Sequence, residues 1–488
     1  MANRRILFLL IIGVLGTGSQ AARAEEGHFV VAGHDEALPS AADIAAAGGI
    51  WVDQIESIGV AFVRSDAPDF LAKIKKRRSV ALAAPDIELW IGDMASDVDA
   101  SGLASGTEEP SPSLEASSLT SAVTSIDPFS VLEWDDRVLG VRDAHDRGIT
   151  GEGVTVAVVD SGIDKTHPDL VNAVIPYGIS FVSDPNPFPT LGLPTTQGHG
   201  TAVSGIIAAA CNNGIGVCGV APGAKLLSVR VSDGTSTSIW RVLQAYDWAS
   251  TEGVAQYGVK IINSSHAYSC YDTDPACKNL IDAIAIGNRM VAQVYRRGVV
   301  LFVAAGNGGA AGIAIDVSAE GDSYKLWPAG KKAATVGSTG PCCSACDGNP
   351  LNDVDYDTPA IYSNYGFSDE SSFLVMPGGQ RAACPRPTSC TVVMPFGPLT
   401  RPCGQFDMVW TTSLQATAAV QGRYFAFSGT SAAVPEAVGL AALALSRFPH
   451  LKAGQLTDMM LYDLTVDLGA LGYDPLFGHG RGSAALIP

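Results

Sequence analysis

Val154-Thr155-Val156-Ala157-Val158-Val159-Asp160, introduced by Gly151-x-Gly153 and followed by Ser161-Gly162, is a β-branched run without polar alternation. A strand with one face in water alternates apolar and polar side chains. One that does not is buried on both faces, as in the interior of a parallel α/β sheet. The run ends in an acid. Ligands and chemistry collect at the carboxyl ends of strands in open α/β sheets, so Asp160 is either a candidate site residue or the cap of the turn that follows.

Three further stretches end or begin in the same way. Val299 to Ala305 (VVLFVAA) is another two-faced strand, and it stops at Gly306-Asn307-Gly308-Gly309, placing an amide at a strand end. Gly198-His199-Gly200-Thr201 precedes the helical run VSGIIAAA; with glycine on both sides the imidazole has room to face a partner. Ser428-Gly429-Thr430-Ser431-Ala432-Ala433-Val434-Pro435 precedes the apolar run Ala437 to Leu445. A serine among small residues at a helix mouth has an uncrowded hydroxyl and an outward N–H, where unpaired donors favour negative charge. Gly429 permits a sharp turn, and Pro435 is expected near the first helical turn, where a missing N–H costs least. An ordinary helix cap would read the same way in isolation. Together, two strand ends and two helix mouths are expected to bring four polar groups to one rim of the sheet.

The chain has 488 residues, more than one core usually organises, so a large and a small domain are expected. Met1 to Ala24 reads as a secretory signal: Arg4 and Arg5, the apolar run Ile6 to Leu15, then Ala22-Arg23-Ala24 as a small-x-small cleavage site. Its removal takes three arginines and no acid, changing the formal charge from −18 to −21. That balance disfavours nucleic acid or an anionic membrane as partner and suits an exported protein, extracellular or periplasmic. All ten cysteines lie between Cys211 and Cys403, an even number that in an exported chain favours disulfides over metal thiolates. Cys211 with Cys218 and Cys270 with Cys277 are the expected local pairs. Cys342-Cys343-x-x-Cys346 has zinc-like spacing but no neighbouring histidine.

Residues 25–94 read as a small independent unit. His28 to Gly33 and Gly59 to Ser65 have strand composition, Ala41 to Ala47 and Asp69 to Arg78 read as helices, and VALAAPDIELWI forms a last strand, an order that suggests a ferredoxin-like α+β sandwich. Lys75 to Arg78 is a basic cluster at a solvated helix end. Residues 95–128 are rich in Ser, Ala, Thr and acids without periodicity, and are expected to be a linker to a large domain at 129–488.

With these segments assembled, the chain resembles the subtilisin-like serine proteases. The resemblance rests on the order Asp, His, Ser and on VAVVDSGID (156 to 164), HPDL (167 to 170), GHGTAVSGIIAA (198 to 209), NNGIGVCGVAPGAKLLSVRV (212 to 231), IINSS (261 to 265), VAAGN (303 to 307), WPAGKKAATVGS (327 to 338), YSNYG (362 to 366) and SGTSAAVP. It covers about Trp134 to the C-terminus, with insertions, and residues 28 to 90 resemble the family's inhibitory propeptides more weakly. It implies a parallel sheet flanked by helices, with Ser431 as nucleophile, His199 as its base, Asp160 as the carboxylate orienting the imidazole, and Asn307 with the Ser431 N–H as oxyanion hole. It implies that Ser264, Ser265, His266, Ala267, Ala305 and Gly306 line the substrate cleft, and that protein or peptide substrates are cut without a catalytic cofactor.

The resemblance further implies a structural calcium ion held by Asp169, Asn213, Ile215 and Val217, an oxygen donor set suited to that ion. A glycine-rich turn braced by Cys211 and Cys218 is the alternative reading of that loop. The N-terminal unit would act as an intramolecular inhibitor, removed by self-cleavage between about Trp90 and Pro128. Several positions depart from the family. Ala202 and Glu436 each stand where a histidine is usual, and His266-Ala267 replace an apolar residue and glycine in the wall of the cleft, leaving substrate preference open. The stretch Thr339 to Ala426, with six of the ten cysteines, is longer than in compact relatives and is expected to form disulfide-tied loops. Two other readings stay open: a catalytically silent binding protein on the same fold, and a processing protease of narrow specificity.

Ala432 replaces the methionine that usually follows the nucleophile, removing an oxidisable thioether beside Ser431. Peptidase activity is therefore expected to survive mild peroxide. Rapid inactivation, with the modified residue mapped to the site, would contradict this.

Overall fold

The computed structural model describes residues 24–90, 127–189, 198–233, 236–266, 268–271, 280–308, 313–320, 324–327, 332–345, 355–368, 372–381, 386–395, 397–414 and 423–488. All but the last residue of the expected signal and most of the expected linker lie outside the described residues. So do Ala267, Cys277 and Cys346.

The N-terminal unit has the order β1 (Ala24–Gly33), α1 (Ala41–Ala47), β2 (Ile50–Ile55), β3 (Val60–Arg64), α2 (Phe70–Ile74) and β4 (Val80–Trp90). Its antiparallel sheet runs β2-β3-β1-β4, the ferredoxin-like arrangement. Helix α2 is shorter than the expected 69–78, and Lys75 beyond it pairs with Asp282. The unit is not independent. Successive strand residues point to opposite faces, and here Val31, Ala61, Val63 and Ala83 pack under Ile44, Phe70 and Ile74 of its own helices. Val30, Ala32, Val60 and Ala84 point the other way, into a core shared with Trp240, Ile286 and Met290 of the large domain.

The large domain comprises α3 (Trp134–Leu139), β5 (Thr155–Asp160), β6 (Val174–Ser180), α4 (His199–Ala208), β7 (Lys225–Arg230), β8 (Ser236–Ser238), α5 (Ile239–Ser250), β9 (Val259–Ser264), α6 (Leu280–Arg296), β10 (Val300–Ala304), β11 (Ala334–Thr339), β12 (Phe373–Pro377), a hairpin of β13 (Ser389–Met394) and β14 (Gly397–Pro402), β15 (Val409–Thr412), β16 (Tyr424–Phe427), α7 (Thr430–Arg447), β17 (Thr465–Val466) and β18 (Arg481–Gly482). The central sheet runs β17-β18-β12-β11-β10-β9-β5-β7-β6, with every neighbouring pair parallel except β17 with β18. The two-faced strands behave as read. Val156 and Val158 of β5 pack with α4 and α7 on one side, while Ala157 and Val159 pack with α5 and α6 on the other.

Helix α7 begins at Thr430, so Pro435 falls in its second turn rather than its first and leaves the Ser431 carbonyl without its helical donor. Cys211–Cys218 is a disulfide as expected, and Cys390–Cys403 closes the β13–β14 hairpin. Cys342 and Cys343 are disulfide-bonded, which removes the zinc reading. No helix among the described residues is long and apolar enough to cross a membrane.

One feature of the core is unusual. Glu436 of α7 is fully buried and faces Asp135 of α3, carboxyl to carboxyl, with Glu133 and Asp136 nearby. No N–H or O–H donor among the described residues reaches either Glu436 oxygen. Two facing carboxyls in an apolar setting are stable only if they share a proton. Burial first, then mutual repulsion, holds Glu133, Asp136 and Glu436 well above the usual carboxylate range, while burial holds Asp135 at about 6. In the unfolded chain such groups ionise near their ordinary values of about 4. The folded protein therefore binds more protons, and the stability this contributes is complete below about pH 4 and lost as pH rises through 6 and beyond. The melting midpoint of the Ser431→Ala protein, used to avoid autolysis, is expected to fall between pH 5 and pH 8. Glu436→Gln should flatten that fall. A Ser431→Ala midpoint that rises over the same range would exclude proton sharing.

Candidate active site

Asp160 ends β5 and His199 opens α4, both buried, and the imidazole Nδ1 lies 2.9 Å from each carboxylate oxygen of Asp160. Burial alone would raise the Asp160 carboxyl. The imidazole beside it, the hydrogen bond between them and the Ser161 N–H at 2.7 Å outweigh this and hold it below the usual range. This close approach explains the glycine after His199. A Cβ at Gly200 would lie 2.4 Å from the Gly162 carbonyl oxygen. With Nδ1–H donated to Asp160, the histidine's basic lone pair is on Nε2, which is buried and unpartnered among the described residues.

Ser431 is the second residue of α7, after Gly429 at φ +139°, a conformation that side-chain-bearing residues rarely adopt. Its Oγ donates to the Ser265 carbonyl at 2.9 Å. The hydroxyl must leave Ser265 to meet His199, in keeping with the loose geometry of unliganded sites. Asn307 follows β10, and its Oδ1 accepts from both the N–H and the hydroxyl of Thr430, each at 2.8 Å. This fixes the amide's orientation and leaves the Nδ2 hydrogens for another acceptor.

The groups expected along the cleft are brought beside the triad in part. Ser264 Oγ lies 2.6 Å from the Tyr246 hydroxyl and 3.1 Å from His266 Nε2, a buried chain of polar groups next to the Ser265 carbonyl. Burial pushes the His266 imidazole down to about 4, so it is neutral at pH 7. Ala305 and Gly306 offer their carbonyls to Asn364, through its Nδ2 at 2.9 Å and its N–H at 3.1 Å. Asn364 Oδ1 in turn accepts from Gly308 N at 3.1 Å. This fully buried residue, which holds the loop carrying Asn307, was not singled out from sequence although it sits in the quoted YSNYG.

The four groups assigned to calcium do not form an oxygen cage. Asp169 Oδ1 accepts from Asn213 Nδ2 at 2.7 Å, and its Oδ2 accepts from the Tyr424 hydroxyl at 2.8 Å and Val217 N at 3.2 Å. Asn213 Oδ1 accepts from Ile215 N at 2.9 Å. Both amide contacts of Asn213 require this orientation, so its oxygen does not join Asp169's. Asp127, expected in the linker, caps the loop instead, accepting from the N–H groups of Asn212, Asn213 and Gly214 at 2.6, 2.9 and 3.1 Å. As arranged, the donors do not fit a calcium ion: nitrogen and hydroxyl hydrogens occupy the lone pairs a cation would need.

A parallel α/β sheet that presents an acid at a strand end, an imidazole at one helix mouth and a hydroxyl at another, in the chain order Asp, His, Ser, defines the serine-triad class of proteins. This chain belongs to the subtilase family, whose family model matches residues 151–480. It is 31% identical over 318 residues to subtilisin E of Bacillus subtilis (strain 168), an alignment covering 65% of this chain and 61% of that relative. Its fold is shared by fervidolysin from Fervidobacterium pennivorans, a keratinolytic enzyme related to subtilisin, with TM-score 0.61 and 21% identity over 96% of this chain and 64% of that one. The epidermin leader peptide processing serine protease of Staphylococcus aureus shares it too, with TM-score 0.62 and 18% identity over 95% of this chain and 98% of that one.

Chelation of divalent ions is expected to leave the melting midpoint unchanged, whereas Tyr424→Phe should lower it by a few degrees. A fall on chelation that added calcium reverses would show that the loop opens to hold an ion.

Proposed function

We propose that the protein is a secreted serine endopeptidase, made as a self-inhibited precursor, that hydrolyses peptide bonds through an acyl-enzyme. The observation that carries the reading is the buried Asp160–His199 pair, with Nε2 unpartnered among the described residues, on a helix that packs against the one opening at Ser431. A hydroxyl is a poor nucleophile unless a neutral imidazole takes its proton. Ser431 Oγ would attack the substrate carbonyl carbon as its proton passes to His199 Nε2, and Asp160 would stabilise the imidazolium. The carbonyl oxygen, now anionic, would accept hydrogen bonds from Asn307 Nδ2 and the Ser431 N–H. Collapse would expel the amine, which takes the proton from His199, and water would repeat the sequence to free the acid and restore the serine.

The precursor reading has its own support. Glu88–Trp90 of β4 pairs antiparallel with β8, Glu88 opposite Ser238 and Trp90 opposite Ser236. Strand β8 is close to the triad: Thr237 Oγ1 donates to the Val231 carbonyl at 2.7 Å, and Val231 N donates to the Asp160 carbonyl at 2.8 Å. Strand addition at this position supports the reading that the end of the N-terminal unit occupies the substrate's path. Buried Asp86 of the same strand accepts from Trp240 N at 3.0 Å, capping α5. Export rests on the N-terminal segment and the cysteine distribution. A narrower reading, a processing protease, is favoured by the buried imidazole of His266 in the cleft wall.

Purified wild-type protein is expected to label at Ser431 with a serine-directed phosphonate and to lose its N-terminal unit by cleavage between Trp90 and Pro128, while Ser431→Ala keeps the unit attached. Processing of the pure mutant at the wild-type rate would assign that cut to another protease. Asn307→Ala should lower turnover by about 100- to 1,000-fold. Casein digested no faster than a panel of folded proteins would favour the processing role.

A further inference from the structure

The peptide unit between Ser428 and Gly429, just upstream of the nucleophile, is gripped at both ends. Its carbonyl accepts from Arg381 Nη2 at 2.9 Å, and the Ser428 hydroxyl accepts from Arg381 Nε at 3.0 Å. Its N–H donates to the Tyr362 hydroxyl at 3.0 Å and to the Gly378 carbonyl at 3.0 Å. The two grips are joined, because the Arg381 guanidinium lies 4.9 Å from the centre of the Tyr362 ring. Tyr362 is fully buried, and its hydroxyl also lies 2.8 Å from the Gly378 carbonyl, 2.6 Å from that of Gly379 and 2.9 Å from Ser338 Oγ. None of these side chains takes part in the steps derived above.

A grip is needed at this place. Gly429 has little of its own to hold it at φ +139°, because glycine crosses between conformations at small cost. Rotation of the 428–429 peptide would carry Thr430 with it. Thr430 orients Asn307, and Ser431 follows directly, so nucleophile and oxyanion donor would move together. Arginine suits such a grip because its planar fork delivers two donors at a fixed angle and stacks on an aromatic face, which lysine does not reproduce.

We propose, on the peptidase reading above, that Arg381 is a positioning residue: with Tyr362 it sets the peptide plane that aims Ser431 and ties turnover to the cysteine-rich insertion. The tie to the insertion is short. Gln380 N, one residue before Arg381, donates to the Asp407 carbonyl at 2.9 Å. The buried Asp407 carboxylate accepts from Cys343 N at 2.9 Å, Ser344 N at 2.6 Å and Arg386. Within that stretch, Asp407, four residues past the Cys403 end of the hairpin disulfide, therefore anchors the backbone that carries the clamp.

The test compares Arg381→Ala, Arg381→Lys and Tyr362→Phe with wild type on a peptide substrate, with active sites counted by phosphonate titration and melting followed in parallel. Arg381→Ala should lower kcat per titrated site by about 10- to 100-fold, with KM within about twofold and the melting midpoint nearly unmoved. Arg381→Lys should fail to restore the rate. Tyr362→Phe, which keeps the ring and loses the hydroxyl, should show a smaller loss of the same kind. Wild-type kcat per titrated site in Arg381→Ala, or a loss that follows only the number of titratable sites, would overturn the clamp. Wild-type protein that neither labels nor cleaves would instead overturn the peptidase reading beneath it.

Discussion

A carboxylate with no access to water must have its charge met from within, and the way Asp160 meets that demand organises the catalytic half of the molecule. Its two oxygens are taken by the His199 imidazole and the Ser161 N–H. The contact is possible only because β5 delivers the acid to the carboxyl edge of a parallel sheet while α4 starts beside it, with glycine at 200 to let the two backbones approach. Nε2 is left unpartnered among the described residues, on a helix that packs against α7. Moving any of these elements would strand a buried charge, so the geometry of the site and the packing of the sheet are one requirement.

The same demand recurs, with two different answers. Asp127 is satisfied by backbone donors, Asp169 and Asp407 by backbone and side-chain donors, and in each case the carboxylate fastens a loop: residues 212–217 for the first two, the insertion for the third. Hydrogen bonds and the Cys211–Cys218 disulfide brace the 211–218 loop. Glu436 and Asp135 show the opposite answer. Among the described residues no N–H or O–H donor reaches either Glu436 oxygen, and the charge is removed by a proton instead. The Asp160 pair favours an ionised acid and the Glu436 cluster favours neutral ones, so the molecule combines parts with contrary preferences for pH.

Much of this was legible in the residues. Val154 to Val159 has no polar alternation, and it became a strand buried on both faces. The four polar groups read at strand ends and helix mouths do lie along one edge, since chain ends in a parallel sheet leave few other places for them. The N-terminal βαββαβ order was legible for the same reason of period. Its partnership was less so: the adjacent valines 30 and 31 already mark a two-faced strand, but nothing local says which neighbour covers the second face. Asn364, Tyr362 and Arg381 escaped notice because they act through tertiary contacts with a loop distant in sequence. Asp127 sat at the edge of a featureless polar stretch, and an acid that caps a loop 85 residues away leaves no local mark. The residues assigned to calcium have the right type and place, but Asn213 presents its nitrogen to Asp169, an orientation that no local pattern announces.

The two faces of the N-terminal sheet carry one more consequence. Half of its wall is roofed by its own helices, and the other half, with Val30, Val60 and Ala84, is roofed only by the body it sits on. Such a piece is a folded appendage and not a free-standing protein. Cut loose, it would turn a bare apolar side to water and lose the packing that keeps it folded. Its departure would then be hard to reverse, a one-way release written into which side of a strand each valine faces.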